Sequence, residues 1–365
     1  MSNKHYIIPI FVPHLGCPHS CVFCNQQRIT GLSTNVNIND VKKKIENSLE
    51  TIPKNKKKLE VAFYGGSFTG IDKEVQKDLL TIPYNYKKED IIDEIRLSTR
   101  PDYINTEILK LLKSFGVDTI ELGVQSLAND VLKASGRGHV EAEVYKAVDL
   151  IKKFDFKLGL QMMVGLPKDT KEKSLYTAKQ IASQRPDCVR IYPTLIIKDT
   201  YLEKLYLNGN YIPLSLEEAV NISTDLLLLF EYYNINVIRI GLQPTEKISL
   251  GKDVVAGPFH PSFRQLVESN IYKMILERYF ETMDKFRTTG KTLILKINNK
   301  DISNISGQKS KNIKYIKEKY GFKKIKIYGE DVADNNIKIN FDNIYDTINK
   351  DEIIKDYLFK NNIIT

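Results

Sequence analysis

The sequence predicts an α/β protein built around an open or partial barrel of parallel strands. Short apolar runs alternate with amphipathic helical patterns over about 240 residues, as is typical of strands joined by right-handed crossovers. Six or seven such units fit a partial barrel better than a closed eightfold one. The predicted strands lie near 6–12, 59–64, 94–98, 118–123, 158–163, 188–192 and 236–240, and the helices near 39–50, 73–81, 104–114, 140–153, 172–184 and 215–233.

The composition is that of a globular protein with a basic balance. The chain has 365 residues, a net charge of +9 and 42% hydrophobic residues. No stretch approaches the roughly 20 apolar residues that span a bilayer, so we expect a cytoplasmic protein without membrane contact. The positive charge favours polyanionic partners such as RNA, although a Lys-rich composition by itself gives the same balance.

The pattern changes twice along the chain, which predicts a core barrel over 1–245, a helical connector over 246–285 and a small basic α+β domain over 286–365. The last domain could contact RNA backbone by charge and shape, and a purely structural appendage fits the same pattern. Its predicted elements are a strand at Thr292–Ile297, a helix at Ser310–Lys319 and strands at Lys323–Tyr328 and Ile337–Asn340.

Glycine, proline and polar residues follow five of the predicted strands. In parallel α/β folds, ligands bind at the carboxyl ends of the strands, so these turns predict one shared active site. The five segments are Gly65-Gly66-Ser67, Thr99-Arg100-Pro101, Gln125-Ser126, Gly165-Leu166-Pro167 and Tyr192-Pro193-Thr194.

Three cysteines, Cys17, Cys21 and Cys24, lie within eight residues directly after the first predicted strand. A cytosolic chain rarely carries structural disulfides, so this cluster indicates metal or redox chemistry. Three thiolates can ligate three irons of a 4Fe–4S cube, which leaves the fourth iron open to a small molecule.

Two other metal sites use the same cysteines. A structural zinc site would need His14 or His19 as its fourth ligand, and such sites usually draw on a second, distant ligand pair. A ferredoxin would show a fourth cysteine nearby, whereas Cys188 is isolated in an apolar strand and is expected to be a buried core thiol.

At these cysteines the sequence resembles the radical SAM superfamily, whose hallmark is Cys-x₃-Cys-x₂-Cys with an aromatic residue, here Phe23, before the last cysteine. The resemblance spans about residues 5–245. It implies an anaerobic enzyme in which the open iron binds S-adenosylmethionine. One electron, from reduced flavodoxin or ferredoxin, then yields methionine and a 5′-deoxyadenosyl radical.

The same resemblance implies the remaining cofactor contacts. The Gly65-Gly66-Ser67 segment would approach the methionine amino group, and Arg137 would pair with the methionine carboxylate. Gln125 would contact the nucleoside and Gln161 the ribose. Ser98 departs from the pattern, because related sequences often carry an acidic residue there, and this puts the contribution of the third strand in doubt.

Three segments narrow the resemblance to the catalytic subunit of Elongator, which modifies the wobble uridine of tRNA. They are Ser98–Tyr103, Arg137-Gly138-His139 and Arg190–Lys198, and they make Tyr192 and Lys198 candidates for the substrate side. The Elongator subunit also carries an acetyltransferase domain, and we find no acetyl-CoA loop in the residues after 285.

Two other functions stay open. The core also resembles oxygen-independent coproporphyrinogen III oxidase, so the substrate could be a small acid whose carboxylates meet the basic residues. A non-catalytic haem or cluster carrier could retain the three cysteines. In the segment Gly257–Arg264, His260 could act as a general acid or bind phosphate, or it could cap a turn, which is the commoner role.

Overall fold

The computed structural model describes residues 5–12, 21–25, 28, 36–53, 55, 57–244, 248–281, 283 and 285–364. The chain forms two compact units, one of Met1–Ser215 with Ile235–Phe259 and one of Leu216–Asn234 with His260–Thr365. The predicted domain boundaries at 245 and 285 stay predictions. The helix at Leu216–Tyr232 belongs to the same compact unit as the C-terminal residues.

A parallel seven-stranded sheet forms the centre of the first unit. The strands of this unit are β1 His5–Val12, β2 Lys58–Gly65, β3 Glu94–Thr99, β4 Thr119–Gln125, β5 Lys157–Val164, β6 Cys188–Pro193, β7 Ile196–Ile197, β8 Asn236–Ile240 and β9 Val254–Ala256, with β7 and β9 paired antiparallel. The strand order of the seven-stranded sheet is β1-β2-β3-β4-β5-β6-β8, and the sheet curls into the half-barrel that the alternating pattern predicted.

Several helices of the first unit begin at side chains that accept the free N–H groups of the first turn. Asn37 forms a capping box with Asp40, and Asp72, Asn105 and Thr170 cap three later helices. The helices lie at Ile38–Thr51, Lys73–Lys88, Thr106–Ser114, Asn129–Ala134, Glu141–Lys153, Lys171–Ser183 and Tyr201–Leu207, with short 3₁₀ turns at Phe68–Gly70 and Pro101–Tyr103.

The second unit contains a four-stranded mixed sheet of order β11-β10-β12-β13. One face packs on a cluster of rings in which Phe280 lies 5.2 Å from Phe322 and 5.9 Å from Phe341, centroid to centroid. The strands are β10 Thr292–Ile297, β11 Lys324–Gly329, β12 Asn336–Phe341 and β13 Ile344–Asn349, and the helices are Leu216–Tyr232, Phe263–Glu281, Lys285–Thr288, Ile302–Ser306, Lys311–Tyr320 and Lys350–Lys360, with 3₁₀ turns at Asn299–Asp301 and Gln308–Ser310.

All seven predicted strands of the barrel and its six predicted helices occur within a few residues of their expected bounds, apart from Lys73–Lys88, which is longer. The prediction missed the helices at Asn129–Ala134 and Tyr201–Leu207, and also β13 with the helix that follows it. The helix Phe263–Glu281 lies inside the predicted helical connector, for which the prediction gave no helix bounds. Among the helices that the structure describes, none is both long and apolar enough to cross a bilayer.

Candidate active site

The cysteine loop follows β1 at the carboxyl edge of the sheet. Cys21 and Cys24 form a turn in which the Cys24 N–H donates to the Cys21 carbonyl at 3.0 Å, whereas Cys17 lies outside the described residues. Between the two cysteines, the Val22 N–H donates to the Ser135 carbonyl at 3.0 Å, and the Val22 carbonyl accepts from the Leu202 N–H at 2.7 Å. Backbone hydrogen bonds therefore fix the loop on two sides.

The residues after Cys24 bring the segment at Lys198 next to the cysteine loop. Arg28 donates to Asp199 through Nε at 2.9 Å and to Asp253 through Nη1 at 3.2 Å. Asn25 Nδ2 donates to the Lys198 carbonyl at 3.4 Å. The predicted substrate-side residue Lys198 therefore has its backbone beside the predicted cluster site.

Two arginines approach the sulfur of Cys21. Arg137 Nη1 lies 3.4 Å from the sulfur and Arg100 Nη1 lies 4.0 Å from it. The Arg137 side chain also donates to the Gly123 carbonyl, and Arg100 Nη2 donates to the Arg137 carbonyl at 2.6 Å. Arg137 Nε is buried and has no partner among the described residues, so a donor of this guanidinium is left for an anionic ligand.

The glycine segment after β2 lies against the end of β1. Gly65 has φ +106°, and a Cβ placed there would lie 2.5 Å from the Val12 carbonyl oxygen, so only glycine fits. Gly66 donates its N–H to the same carbonyl at 3.1 Å. The next residue, Ser67, lies 2.8 Å from the Thr99 hydroxyl, which is 2.6 Å from Thr69. These three buried hydroxyls hold the segment against the end of β3.

The two predicted glutamines meet on the inner face of β4 and β5. Gln161 Nε2 donates to Gln125 Oε1 at 3.2 Å. Gln125 has φ +67°, at an irregularity in the pairing of β4 with β5, and this strained backbone turns its side chain into the site. Gly123 leaves the necessary room, because a Cβ there would lie 2.8 Å from Arg137 Nη2 and 2.9 Å from Gln125 Nε2.

A buried ion network fills the inner face below these residues. Glu121, 3% exposed, accepts from Arg96 at 2.8 Å and from Arg190 Nη2 at 3.1 Å. Arg96 Nε also reaches Glu60 at 3.0 Å. Burial acts to raise the pKa of Glu121, but the charges of Arg190 and Arg96 outweigh it and hold the pKa below its usual value. Sequence reasoning missed this network, although Glu60, Arg96, Glu121 and Arg190 stand at interior positions of otherwise apolar strands.

Two further residues contact this network: Tyr64 through Arg190, and Cys188 through Arg96. Arg190 Nη2 donates to the Tyr64 hydroxyl at 2.9 Å, and its guanidinium lies 5.1 Å from the centre of that ring. Burial, followed by the charge of Glu121, raises the pKa of Tyr64 to about 12. The same two causes raise the pKa of Cys188 to about 11, which fits an unreactive core thiol.

Two further candidates lie on the same inner face by strand periodicity. Ser98 follows Arg96 by two residues and Tyr192 follows Arg190 by two, and both side chains are half-buried. Thr99, which belongs to one of the five turns that predicted the shared site, takes part in the hydroxyl cluster with Ser67. The roles of Ser98 and Tyr192 as cofactor and substrate contacts stay predictions.

His139 is buried behind Arg137. Burial, and then repulsion by Arg137, lowers its pKa to about 3. The imidazole is therefore neutral at physiological pH. His260 lies in the second unit, where its Nδ1 accepts from the Ser262 N–H at 3.1 Å, which is the turn-capping role.

Comparison with known proteins assigns the family. A model described as the radical SAM superfamily matches residues 11–181, and one described as the radical SAM C-terminal domain matches residues 186–273. The chain belongs to the radical SAM superfamily. The prediction of a radical SAM enzyme is confirmed at the level of the superfamily.

Two relatives of this radical SAM chain are an uncharacterized archaeal protein and a tRNA-modifying enzyme. An uncharacterized protein, MJ0486 of Methanocaldococcus jannaschii, is 30% identical over 239 residues, covering 62% of this chain and 72% of the relative. A tRNA uridine(34) acetyltransferase of Methanocaldococcus infernus is 34% identical over 129 residues, covering 34% of this chain but only 24% of the relative. The match therefore spans about a quarter of that enzyme.

One solved structure shares most of the fold of this radical SAM protein. The archaeal Methanocaldococcus infernus Elp3 with an N-terminal deletion superposes with a TM-score of 0.59 at 19% identity, covering 94% of this chain and 75% of that chain. At this identity the similarity shows the fold alone. The human Elongator complex protein 3 is 33% identical over 138 residues, covering 37% of this chain and 25% of the relative, and this sequence match confirms the predicted likeness to the Elongator catalytic subunit.

Proposed function

We propose that this protein binds a 4Fe–4S cluster through Cys17, Cys21 and Cys24, cleaves S-adenosylmethionine reductively and uses the resulting radical to modify RNA, with tRNA as the substrate. The observation that carries the proposal is the Arg137 guanidinium, which lies 3.4 Å from the Cys21 sulfur and keeps a buried Nε without a partner among the described residues. A bound carboxylate would satisfy that donor.

The described residues fit this pair of cofactors. Cys21 and Cys24 supply two thiol ligands on a loop fixed by backbone hydrogen bonds, and a guanidinium beside the sulfur can tune the charge felt by a cluster. When bound, the cluster and S-adenosylmethionine supply one electron and a 5′-deoxyadenosyl radical. The protein would contribute binding, orientation and exclusion of water.

Each inner-face residue would then have one task. Arg137 would hold the methionine carboxylate, and Gly65 with Gly66 would let the backbone approach the amino group, because a side chain at Gly65 would strike the Val12 carbonyl. The hydrogen-bonded pair of Gln125 and Gln161 would present amide groups to the nucleoside. Tyr192 and Lys198 would face the substrate.

The RNA part of the proposal has two independent supports. One is the sequence match to a tRNA uridine(34) acetyltransferase, which covers only part of that enzyme. The other is the net charge of +9, which favours a polyanion. Reduced flavodoxin or ferredoxin would donate the electron.

Anaerobic reconstitution with iron and sulfide, followed by dithionite and S-adenosylmethionine, tests the proposal. The expected product is 5′-deoxyadenosine, formed faster when bulk tRNA is present. Cys21→Ala and Cys24→Ala should abolish cleavage, and Cys17→Ala should do the same.

Cys188→Ala is the matched control, because this thiol is buried in β6 beside Arg96 and Glu121, away from the cysteine loop. It should retain cleavage. Cleavage that tRNA does not stimulate would reject RNA as the substrate, and stimulation by a small polycarboxylic acid would favour the coproporphyrinogen-type alternative.

A further inference from the structure

The C-terminal sheet buries one face and leaves the other open. On the buried face, Leu295, Ile339 and Phe341 are at most 2% exposed and pack toward the ring cluster around Phe280. Alternation along the strands therefore turns the neighbouring residues to the opposite side. We call that side the open sheet face, and its long side chains are Lys296, Lys324, Lys326, Tyr328, Lys338 and Tyr345.

Strand register groups these side chains. Lys296 of β10 lies between Tyr328 of β11 and Lys338 of β12, in direct register with both. Tyr345 stands on the far edge strand, β13. Tyr345 is in register with Lys326, two residues along the strands from Tyr328. With about 4.8 Å between neighbouring strands and about 3.3 Å per residue, the two tyrosines lie roughly 16 Å apart.

The open sheet face carries excess positive charge. Lys296 and Lys338 share one carboxylate, that of Glu330, at 3.5 and 3.6 Å. Lys324 and Lys326 have neither a hydrogen bond nor an ion pair within the part of the chain that the structure describes. Among the described residues, the four lysines therefore have one ion-pair partner, Glu330, and this excess of positive charge favours an anionic partner.

Both tyrosines are more exposed than large aromatic side chains normally are. Tyr345 is 77% exposed and Tyr328 is 48% exposed. An exposed ring with lysines beside it offers a base a surface on which to stack while the phosphates meet the ammonium groups. A duplex conceals the faces of its bases, so this combination suits an unpaired strand better.

We propose that the open sheet face binds single-stranded RNA, with Tyr328 and Tyr345 stacking on bases and Lys324 and Lys326 contacting phosphates. This deepens the proposed function, since it gives an RNA-modifying enzyme a second contact with an unpaired region of its substrate. The binding itself requires neither the cluster nor S-adenosylmethionine.

The chain has no tryptophan, so one substitution creates a unique reporter. In the full-length protein, Tyr345→Trp should show quenched fluorescence when an oligouridylate of about ten nucleotides is added. Tyr176→Trp, at a position that is 41% exposed on the helix Lys171–Ser183 of the first unit, is the matched control and should not respond. Unchanged Tyr345→Trp fluorescence at RNA concentrations that saturate binding would overturn the proposal.

Affinity measured by fluorescence anisotropy separates charge from stacking. Tyr345→Ala should weaken binding of the oligouridylate roughly 10-fold, and Tyr345→Phe, which keeps the ring, should not. The double variant Lys324→Ala with Lys326→Ala should lower the slope of log K against log salt by about 1.4, since each single-strand phosphate contact contributes about 0.7.

The matched charge control is Lys314→Ala with Lys317→Ala, two exposed lysines on the helix Lys311–Tyr320 of the same unit. Two results would refute a specific single-strand site. One is an equal loss of affinity for the oligouridylate in the two double variants, and the other is that the parent protein binds a duplex of the same length as tightly as the oligouridylate. Failure of S-adenosylmethionine cleavage leaves all these binding readouts intact, so the two proposals fail separately.

Discussion

Replacing Glu121 by glutamine tests whether the buried ion network holds the barrel together. In the native protein, Arg96 is shared between Glu60 and Glu121. Among the described residues, Arg190 has Glu121 as its carboxylate partner and also donates to the hydroxyl of Tyr64. The variant therefore leaves one buried guanidinium, that of Arg190, without a compensating charge.

Removing one partner of a buried ion pair costs about 3–5 kcal/mol, and we expect Glu121→Gln to lower the free energy of unfolding by that amount. Urea unfolding followed by circular dichroism measures the change. Glu107→Gln is the matched control, because Glu107 pairs with Lys73 on the surface and its side chain is 78% exposed. That variant should unfold at the same urea concentration as the parent.

The pH dependence of the stability difference between the parent and Glu121→Gln gives a second test. The pKa of Glu121 is held below its ordinary value of 4.5 by Arg190 and Arg96, against the effect of burial, so its contribution is present at neutral pH and fades in acid. The gap between parent and Glu121→Gln should therefore narrow below about pH 4.5. Equal stability of the two proteins at pH 7 would refute the reasoning.

Three further predictions concern the site itself. Gly65→Ala places a Cβ against the Val12 carbonyl at positive φ and should lower the free energy of unfolding by about 3 kcal/mol. Gly209→Ala is also at positive φ but has open space around it, so it should lower the free energy of unfolding by only about 1 kcal/mol in the same urea titration. Arg137→Lys keeps the charge but removes Nε, so its dissociation constant for S-adenosylmethionine, measured by anaerobic calorimetry, should rise roughly 10- to 100-fold; an unchanged constant would exclude Arg137 as the carboxylate ligand. Burial and Arg137 lower the pKa of His139 to about 3, so below pH 6.5 this imidazole binds a proton in the unfolded chain but not in the folded protein. His139 should therefore make the free energy of unfolding about 2 kcal/mol lower at pH 5 than at pH 8. His139→Leu should remove this part of the pH dependence, as measured by urea unfolding at the two pH values.

The barrel could be predicted because its signals are local. Each strand is a short apolar run bounded by a turn, and parallel topology then places the carboxyl ends of those strands together. Gln125 and Gln161 therefore came together as expected, at 3.2 Å. The same reasoning placed the turn at Arg100 on the edge that holds the cysteine loop. The approach of its guanidinium to within 4.0 Å of the Cys21 sulfur could not be predicted, because it depends on the side-chain conformation and on the hydrogen bond to the Arg137 carbonyl.

Other misses have identifiable physical reasons. The bounds of the helix Phe263–Glu281, within the predicted helical connector, were not predicted. Its buried residues lie around much of its circumference, so no single apolar stripe marks where it begins and ends; they include Phe263, Val267, Ile271, Tyr272 and Phe280. The hairpin between β12 and β13 turns at Asp342 and Asn343, both at positive φ. That two-residue turn signal was present in the sequence and was overlooked.

The central claim is that an iron of the cluster is left open for S-adenosylmethionine, and electron paramagnetic resonance of the reduced, reconstituted protein tests it most directly. We predict the signal of a reduced 4Fe–4S cluster that changes shape when S-adenosylmethionine is added and changes less in Arg137→Lys. A protein that binds zinc at the three cysteines, or a cluster signal that is identical with and without S-adenosylmethionine, would contradict the account.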